Sequence, residues 1–222
     1  MNGFLLIDKP KGVTSSNCVY QLRKLLGIKK IGHCGTLDPL ATGLLPICIG
    51  EATKFSSFMS NLDKTYEVGI RFGIATDTGD IEGEVISKTN NNFDEIKLKN
   101  ILQTFVGPQT QIPPMYSALK QKGKPLYWWA RKGVFLLRKE RNIIIHNIDL
   151  ISFKNYQLNI KVSCTKGTYI RSLAESIGEA LMTKATVISL RRLSIGNTES
   201  NQMVLMPKSK INDISSSVLP SD

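Results

Sequence analysis

Two rhythms of apolar residues run along this chain, and each predicts an element type. Residues 4–7 (Phe-Leu-Leu-Ile) form an unbroken apolar run closed by Lys9-Pro10-Lys11-Gly12, the pattern of a short buried strand. Val19, Leu22, Leu25 and Leu26 recur at helical spacing. They predict a helix that Thr14 or Ser15 caps and Gly27 ends. Gly32, Gly35, Pro39 and Gly43 make residues 32–43 a loop, followed by a strand at 44–49 and a helix at 51–59. Tyr66, Val68, Ile70 and Phe72 alternate with period two and give the clearest strand in the chain. Residues 73–83, rich in Thr, Asp and Gly, read as a turn region. An amphipathic helix is predicted over 93–105 through Ile96, Ile101, Leu102 and Phe105. Strands follow at 141–153 and 156–164, where Leu158, Ile160 and Val162 repeat the alternation. A helix at 169–181 and a strand at 186–193 close the pattern, and the polar stretch 212–217 is expected to fray. Helices and strands interleave irregularly and some strands follow one another directly. The prediction is therefore an α+β fold with a mixed sheet rather than a doubly wound parallel one.

Composition narrows the function. The 222 residues suit one large domain or two small ones, and 41% hydrophobic residues supply a sizeable core. Lys and Arg outnumber Asp and Glu by 29 to 18, a net charge of +11 that favours a polyanionic partner, most commonly nucleic acid. The four cysteines, Cys18, Cys34, Cys48 and Cys164, form no CxxC pair, which argues against a zinc site or a disulfide framework. Neither a signal peptide nor an apolar span of membrane length is present, so the cytosol is the expected compartment.

Candidate chemistry concentrates in Gly32-His33-Cys34-Gly35-Thr36-Leu37-Asp38-Pro39-Leu40-Ala41-Thr42-Gly43. Pro39 biases Asp38 toward an extended backbone, and Leu37 and Leu40 offer apolar walls. A carboxylate so placed is held and partly desolvated, as a nucleophile requires. On these residues alone, an Asp that simply forms the turn before Pro is the commoner explanation. Such a carboxylate needs a cation to keep it ionised, and Arg171, opening a helix directly after a strand, is a candidate, although on these residues alone a surface arginine is the commoner explanation. Residues 117–141 hold Lys120, Lys122, Lys124, Arg131, Lys132, Arg138, Lys139 and Arg141 around Tyr127, Trp128 and Trp129. Such a segment is either a phosphate-binding, base-stacking surface or a solvated face over core aromatics. Of the two histidines, His146 lies in an apolar strand context and is expected to be structural, whereas His33 between glycines is expected to be exposed.

The Gly32 to Gly43 segment resembles the signature of the TruB family of tRNA pseudouridine synthases. Other motifs of that family fall in order. They are Lys9-Pro10-x-Gly12-x-Thr14-Ser15, Gly50-Glu51-Ala52-Thr53-Lys54, Asp63-Lys64-x-Tyr66, Thr76-Asp77-Thr78-x-Asp80, Pro114-Met115-Tyr116-Ser117-Ala118-Leu119-Lys120, Lys166-Gly167-Thr168-Tyr169-Ile170-Arg171 and Leu190-Arg191-Arg192-Leu193. The resemblance implies a pseudouridine-synthase fold, a mixed, largely antiparallel central sheet flanked by helices and loops. It implies conversion of the T-loop uridine U55 of tRNA to pseudouridine, without metal or organic cofactor, by a cytoplasmic monomer with no membrane partner. It makes Asp38 the nucleophile, acting at pyrimidine C6 or ribose C1′, with Arg171 its partner and Tyr66 stacked on the base and able to help remove the C5 proton. Tyr169 and Leu190 would line the pocket, and His33 would meet the T-loop. Lys9, Lys120, Lys122 and Lys124 would contact substrate, the last three in the family's thumb segment. Trp128-Trp129 departs from the smaller or singly aromatic residues expected there. Family members usually continue into a small RNA-binding domain, often a PUA domain. Here 1–200 is expected to be the catalytic domain and 201–222 a short tail without a complete PUA domain. Two other classes fit less well. One is a non-catalytic RNA-folding module, which the presence of Asp38, Tyr66 and Arg171 disfavours. The other is a nucleosidase, which would need a second carboxylate beside Asp38 and an uncharged small substrate.

Overall fold

In the computed structural model, which describes residues 1–90, 92–199, 201, 203–205 and 218–219, the chain forms two compact units. The stretch 212–217, expected to fray, and most of 201–222 lie outside the described residues. The first unit comprises Met1–Tyr66 with Leu190–Asp222, and the second Glu67–Ser189.

The first unit begins with β1 (Gly3–Lys9), α1 (Ser15–Leu26), β2 (Ile31–His33) and β3 (Thr42–Ile49). A 3₁₀ turn (Gly50–Phe55) and α2 (Ser56–Asn61) lead into β4 (Lys64–Phe72), within which the chain passes to the second unit. β1 and β3 are antiparallel over their whole length, from Gly3 opposite Ile49 to Lys9 opposite Gly43. Leu5, Ile7, Leu44, Leu45, Ile47 and Ile49 are fully buried. β3 is apolar at almost every position because both its faces are covered, which hides the period-two signal. α1 is capped by Thr14, whose side chain accepts from the Asn17 amide, and ends at Gly27 in the left-handed region. Its buried face is Ser15, Cys18, Val19 and Leu22, while Leu25 and Leu26 are half-buried.

The second unit holds β5 (Ile74–Thr76), β6 (Val85–Lys88), α3 (Glu95–Thr104), β7 (Gly107–Gln111), β8 (Lys120–Gln121), β9 (Lys124–Pro125) and α4 (Leu126–Ala130). β10 (Arg141–Lys154), β11 (Gln157–Cys164) and α5 (Ile170–Ala180) follow, and β12 (Ala185–Ile195) carries the chain back to the first unit. β10 and β11 form a long hairpin, turned by Asn155 and Tyr156 with φ of 52° and 58°. Two positive φ values in succession match the twist of a tight hairpin. β7 pairs antiparallel with β10.

Short strands complete the first unit: β13 (Thr198–Glu199), β14 (Val204–Leu205) and β15 (Val218–Leu219). β14 lies parallel to β1 and β15 antiparallel to it. β12 joins β3 in parallel through Arg191 opposite Thr42 and Arg192 opposite Gly43. Parallel and antiparallel neighbours on the same strands make the sheet mixed, and with five helices among the described residues the class is α+β. Three expectations need correction. The helix expected over 51–59 is a 3₁₀ turn followed by a separate six-residue helix. There Thr53 Oγ1 donates to the Gly50 carbonyl and the Glu51 amide donates to Asn2, and such side-chain bonds compete with an α-helical ladder. The expected loop 32–43 is bounded by strand at both ends, since Gly32 and His33 pair with β3. His146 is exposed on β10, because it falls on the outward phase of the strand between buried Ile145 and Ile148.

Candidate active site

Asp38 sits half-buried in a loop fixed from several directions. Leu37, Leu40 and Ala41 are buried around it. Ser15 Oγ accepts from the Leu37 amide at 2.9 Å and donates to the Leu37 carbonyl at 3.1 Å. The Pro39 carbonyl accepts from the Gly12 amide at 2.8 Å, and the Ala41 amide closes a turn onto the Asp38 carbonyl. Lys9, expected to contact substrate, is fully buried. Its ammonium donates to the carbonyls of Pro10 (2.9 Å), Val13 (2.5 Å) and Pro39 (3.3 Å). The N-terminal motif and the Asp38 loop are thus tied by backbone and side-chain bonds, which explains why Lys9-Pro10, Gly12 and Ser15 belong to one pattern. Asp8 accepts a bidentate pair from Arg191 (3.0 and 2.7 Å) and the Gly43 amide (3.1 Å), anchoring the far end of the loop.

Beneath the loop lies Arg192, 1% exposed. Its Nε donates to the Leu44 carbonyl at 2.7 Å and Nη2 to the Gly35 carbonyl at 3.1 Å, and its side chain also hydrogen-bonds Tyr66. Burial lowers its pKa from the usual arginine range, and the contact with Tyr66 opposes that. Tyr66 and Leu190, both expected site residues, are buried in the same unit at 8% exposure each. His33 is half-buried rather than exposed, with Nδ1 buried and unpartnered among the described residues. Its pKa is lowered, first by burial and then by the Arg192 charge, so the imidazole is neutral near pH 7. Cys34 and Cys48 face each other with Sγ atoms 2.7 Å apart, and that contact together with burial holds Cys34 as the thiol.

Arg171 stands in the second unit, in the first turn of α5 and 4% exposed. Nη1 donates to the Thr78 carbonyl (2.8 Å) and Nη2 to the Tyr116 carbonyl (2.7 Å), and Asp80 Oδ2 lies 3.7 Å from Nη1. The surface-arginine alternative is therefore excluded by burial. Asp80 is itself held by the Thr78 hydroxyl (2.8 Å) and the Glu82 amide (3.1 Å). These partners explain two motifs to which no role was assigned from sequence. The turn region carrying Thr78 and Asp80 and the segment carrying Tyr116 both close on the Arg171 guanidinium. Tyr169 is gripped on both sides by the Gln111 amide: the Tyr169 N–H donates to Oε1 (2.7 Å) and Nε2 donates to the Tyr169 carbonyl (2.9 Å). The Arg141 guanidinium lies 5.9 Å from the Tyr169 ring centre.

The basic aromatic segment, in the same unit, divides its two tryptophans. Trp129 packs against Met115, Leu126 and Ala130, with its Nε1 donating to the Gln121 carbonyl. Trp128 carries Lys132 and Lys124 over its ring at 4.1 and 5.7 Å. Lys120, Lys122 and Lys124 are exposed around a turn in which Lys122 and Gly123 take positive φ. Among the described residues, Asp38, His33, Tyr66, Leu190 and Lys9 thus fall in one unit. Arg171, Tyr169 and the three thumb lysines fall in the other. Sequence reasoning passed over Arg192 and Asp80. Arg192 stood inside a family motif, and its only signal was a charge on the strand predicted at 186–193. No cluster of metal-ligating side chains occurs among the described residues, and no helix there is long and apolar enough to cross a membrane.

Comparison with known proteins assigns the family. Residues 23–170 match the N-terminal domain model of the TruB family of pseudouridylate synthases. A tRNA pseudouridine synthase B of Blochmanniella pennsylvanica is 47% identical over 204 residues, covering 92% of this chain and 78% of its own. The protein of that name from Chromobacterium violaceum is 50% identical over 196 residues, covering 88% and 64%. The chain therefore spans roughly two thirds to three quarters of the length of these relatives. Among solved structures, one of a Cbf5-Nop10-Gar1 complex superposes with a TM-score of 0.73 at 27% identity, over 91% of this chain and 52% of the other. An H/ACA RNP bound to a substrate RNA containing 2'-deoxyuridine shares the fold, with a TM-score of 0.69 at 24% identity, over 92% and 51%. The chain belongs to the TruB family of pseudouridylate synthases.

Proposed function

We propose that this protein isomerises the T-loop uridine of tRNA, position 55, to pseudouridine, with Asp38 as nucleophile. The observation that carries the reading is Asp38 itself, a half-buried carboxylate on a loop whose neighbours are clamped by Lys9, Ser15 and Gly12, in a chain of this family. Such fixation is what a nucleophile gains from its surroundings. A uridine in a folded loop is first turned out of its stack, at a cost of a few kcal/mol that binding contacts offset. Asp38 then attacks pyrimidine C6 or ribose C1′. The C1′–N1 bond breaks, the base turns, and C5 joins C1′; Asp38 is released as the carboxylate, from C1′ as C5 joins it or from C6 as the C5 proton leaves. The C5 proton leaves and N1 ends protonated, so the change is an isomerisation with no oxidant or reductant. Arg171 is the cation for Asp38, Tyr66 stacks on the base, and Tyr169 and Leu190 wall the pocket. His33 meets the T-loop, and Lys120, Lys122 and Lys124 meet phosphates. Residues 1–200 act as the catalytic region of a cytoplasmic monomer.

The test is incubation with an unmodified tRNA transcript followed by carbodiimide mapping of pseudouridine. One new stop at the T-loop uridine is expected from the wild type and none from Asp38→Asn. That variant should bind tRNA within about threefold of wild type, under 1 kcal/mol at ~1.4 kcal/mol per decade. No product from the wild type, or a few per cent activity in a clean Asp38→Asn preparation, overturns the assignment.

A further inference from the structure

Arg192 is a cation at 1% exposure that, among the described residues, donates to two carbonyls and a phenol and to no carboxylate. Buried charge of this kind costs several kcal/mol unless it is paired and hydrogen-bonded. A core position with only structural duties is filled at lower cost by an apolar residue of similar volume. The placement of the guanidinium is unusual in what it connects. The fork reaches backward to β3 at Leu44, upward to Gly35 three residues before Asp38, and sideways to the Tyr66 side chain. A Cβ on Gly35 would lie 3.5 Å from Nη1, and one on Gly43 would lie 2.3 Å from the Arg192 carbonyl oxygen. The backbone at Gly43 therefore closes directly on the Arg192 main chain.

We infer that Arg192 is a positioning residue for the reaction, fixing the Tyr66 hydroxyl relative to the Asp38 loop and polarising it as the acceptor of the C5 proton. The inference rests on the uridine isomerisation proposed above. The step it serves comes after C5 has joined C1′. The C5–H bond breaks heterolytically, its electron pair remains in the ring to restore the C5–C6 double bond, and Tyr66, as the phenolate that the guanidinium favours, takes the proton and becomes the neutral phenol. That proton passes on to solvent, while N1, released from the ribose, ends bearing a proton. A guanidinium donating to the phenol oxygen favours the electron-rich state that accepts a proton. General-base assistance is typically worth about 10²–10⁴-fold. A lysine in place of Arg192 retains charge but cannot reach Leu44, Gly35 and Tyr66 together, because its three donors radiate from one atom.

The experiment is a double-mutant cycle of Arg192→Lys and Tyr66→Phe, read as the single-turnover rate at saturating T-arm RNA. It is repeated with RNA deuterated at uridine C5. Each single variant is expected to slow product formation by about tenfold or more, ~1.4 kcal/mol, with RNA affinity within about threefold. The double variant should be no slower than the worse single, since both act through one hydroxyl. Arg192→Lys should also raise the deuterium isotope effect, which a change confined to packing would not do. Multiplicative losses, or an unchanged isotope effect, overturn the inference. Should Arg192→Lys fail to fold, the side-chain Nε–H and Nη–H signals of Arg192 in the wild type replace it. They are expected to exchange slowly and to shift in Tyr66→Phe, and signals that stay put overturn it. A wild-type protein that forms no pseudouridine removes the underlying function instead, so the two failures are distinguishable.

Discussion

At the scale of single residues, two side chains show how burial turns charge into a constraint. Arg171 has acceptors in three directions, two carbonyls and the Asp80 carboxylate. A planar guanidinium satisfies them together, whereas an ammonium satisfies fewer and leaves buried acceptors unpaired. Arg171→Lys is therefore expected to lower kcat/KM for tRNA by about 100-fold or more, ~2.7 kcal/mol, while Arg23→Lys on the exposed side of α1 has little effect. Steady-state rates of the two purified variants check this, and wild-type-like rates for Arg171→Lys would remove it from the site. His33 carries the opposite constraint, because burial and the nearby Arg192 charge disfavour its imidazolium. Its folded pKa lies below the ordinary 6.5, so between those two values the unfolded chain holds more proton than the folded one. Stability from this group is complete above about pH 6.5 and is lost as pH falls through the folded value. Urea midpoints from pH 5 to 8 should therefore drop more steeply on the acid side for wild type than for His33→Asn. Identical pH slopes would show that His33 titrates alike in both states.

At the scale of elements, the close approach of β3 and β12 sets the frame for the Asp38 loop. Gly43 has φ +97°, and an added Cβ would sit 2.3 Å from the carbonyl oxygen and 2.9 Å from the amide nitrogen of Arg192. Gly43→Ala should thus cost about 3–5 kcal/mol, combining backbone strain with a backbone clash that no rotamer relieves. Gly27→Ala, at φ +67° with open space around it, should cost only about 1 kcal/mol. Urea unfolding of the two variants separates the terms, and equal losses would show that the β3–β12 approach relaxes freely. The strands and helices with clean periodicity were legible from sequence: the period-two run at Tyr66 to Phe72 is β4, and Thr14 and Gly27 bound α1. The helix expected at 51–59 was not, because local side-chain bonds from Thr53 and Asn2 decide the backbone there. The site divides similarly. In the proposed site, Asp38 stood out by its loop and Arg171 by its place after a strand, but on the residues alone a turn aspartate and a surface arginine were the commoner readings, and their roles came from the family resemblance. Arg192 donates to Leu44 and Gly35, and Lys9 to Pro39 as well as to nearby Pro10 and Val13, and no spacing rule encodes the distant carbonyls.

At the scale of the whole molecule, charge is the property that a polyanionic substrate meets first. The net charge is +11, and in the thumb segment Lys120, Lys122 and Lys124 stand exposed beside one another. Lys132 and Lys124 lie over Trp128, so cationic charge and an aromatic face are presented together. A lysine stacked on a ring keeps its charge while its conformational freedom is reduced, which lowers the entropy lost when a phosphate docks. Each phosphate neutralised releases condensed counterions, so log K should fall steeply with log salt, by about 0.7–0.9 per contact. Replacing Lys122, Lys124 and Lys132 together with Gln removes three such charges without touching Asp38, Arg171, Tyr66 or Arg192. The triple variant is expected to bind T-arm RNA more weakly at low salt and to flatten the slope by about 2–3. Its single-turnover rate at saturating RNA should remain near that of wild type. The measurement is RNA affinity by fluorescence anisotropy across 50–300 mM salt, a range on the order of that used to count phosphate contacts, paired with quenched-flow turnover. A slope unchanged from wild type would place the phosphate contacts elsewhere on the basic surface. A collapse of turnover at saturating RNA would mean instead that these lysines help assemble the reacting geometry as well as hold the substrate.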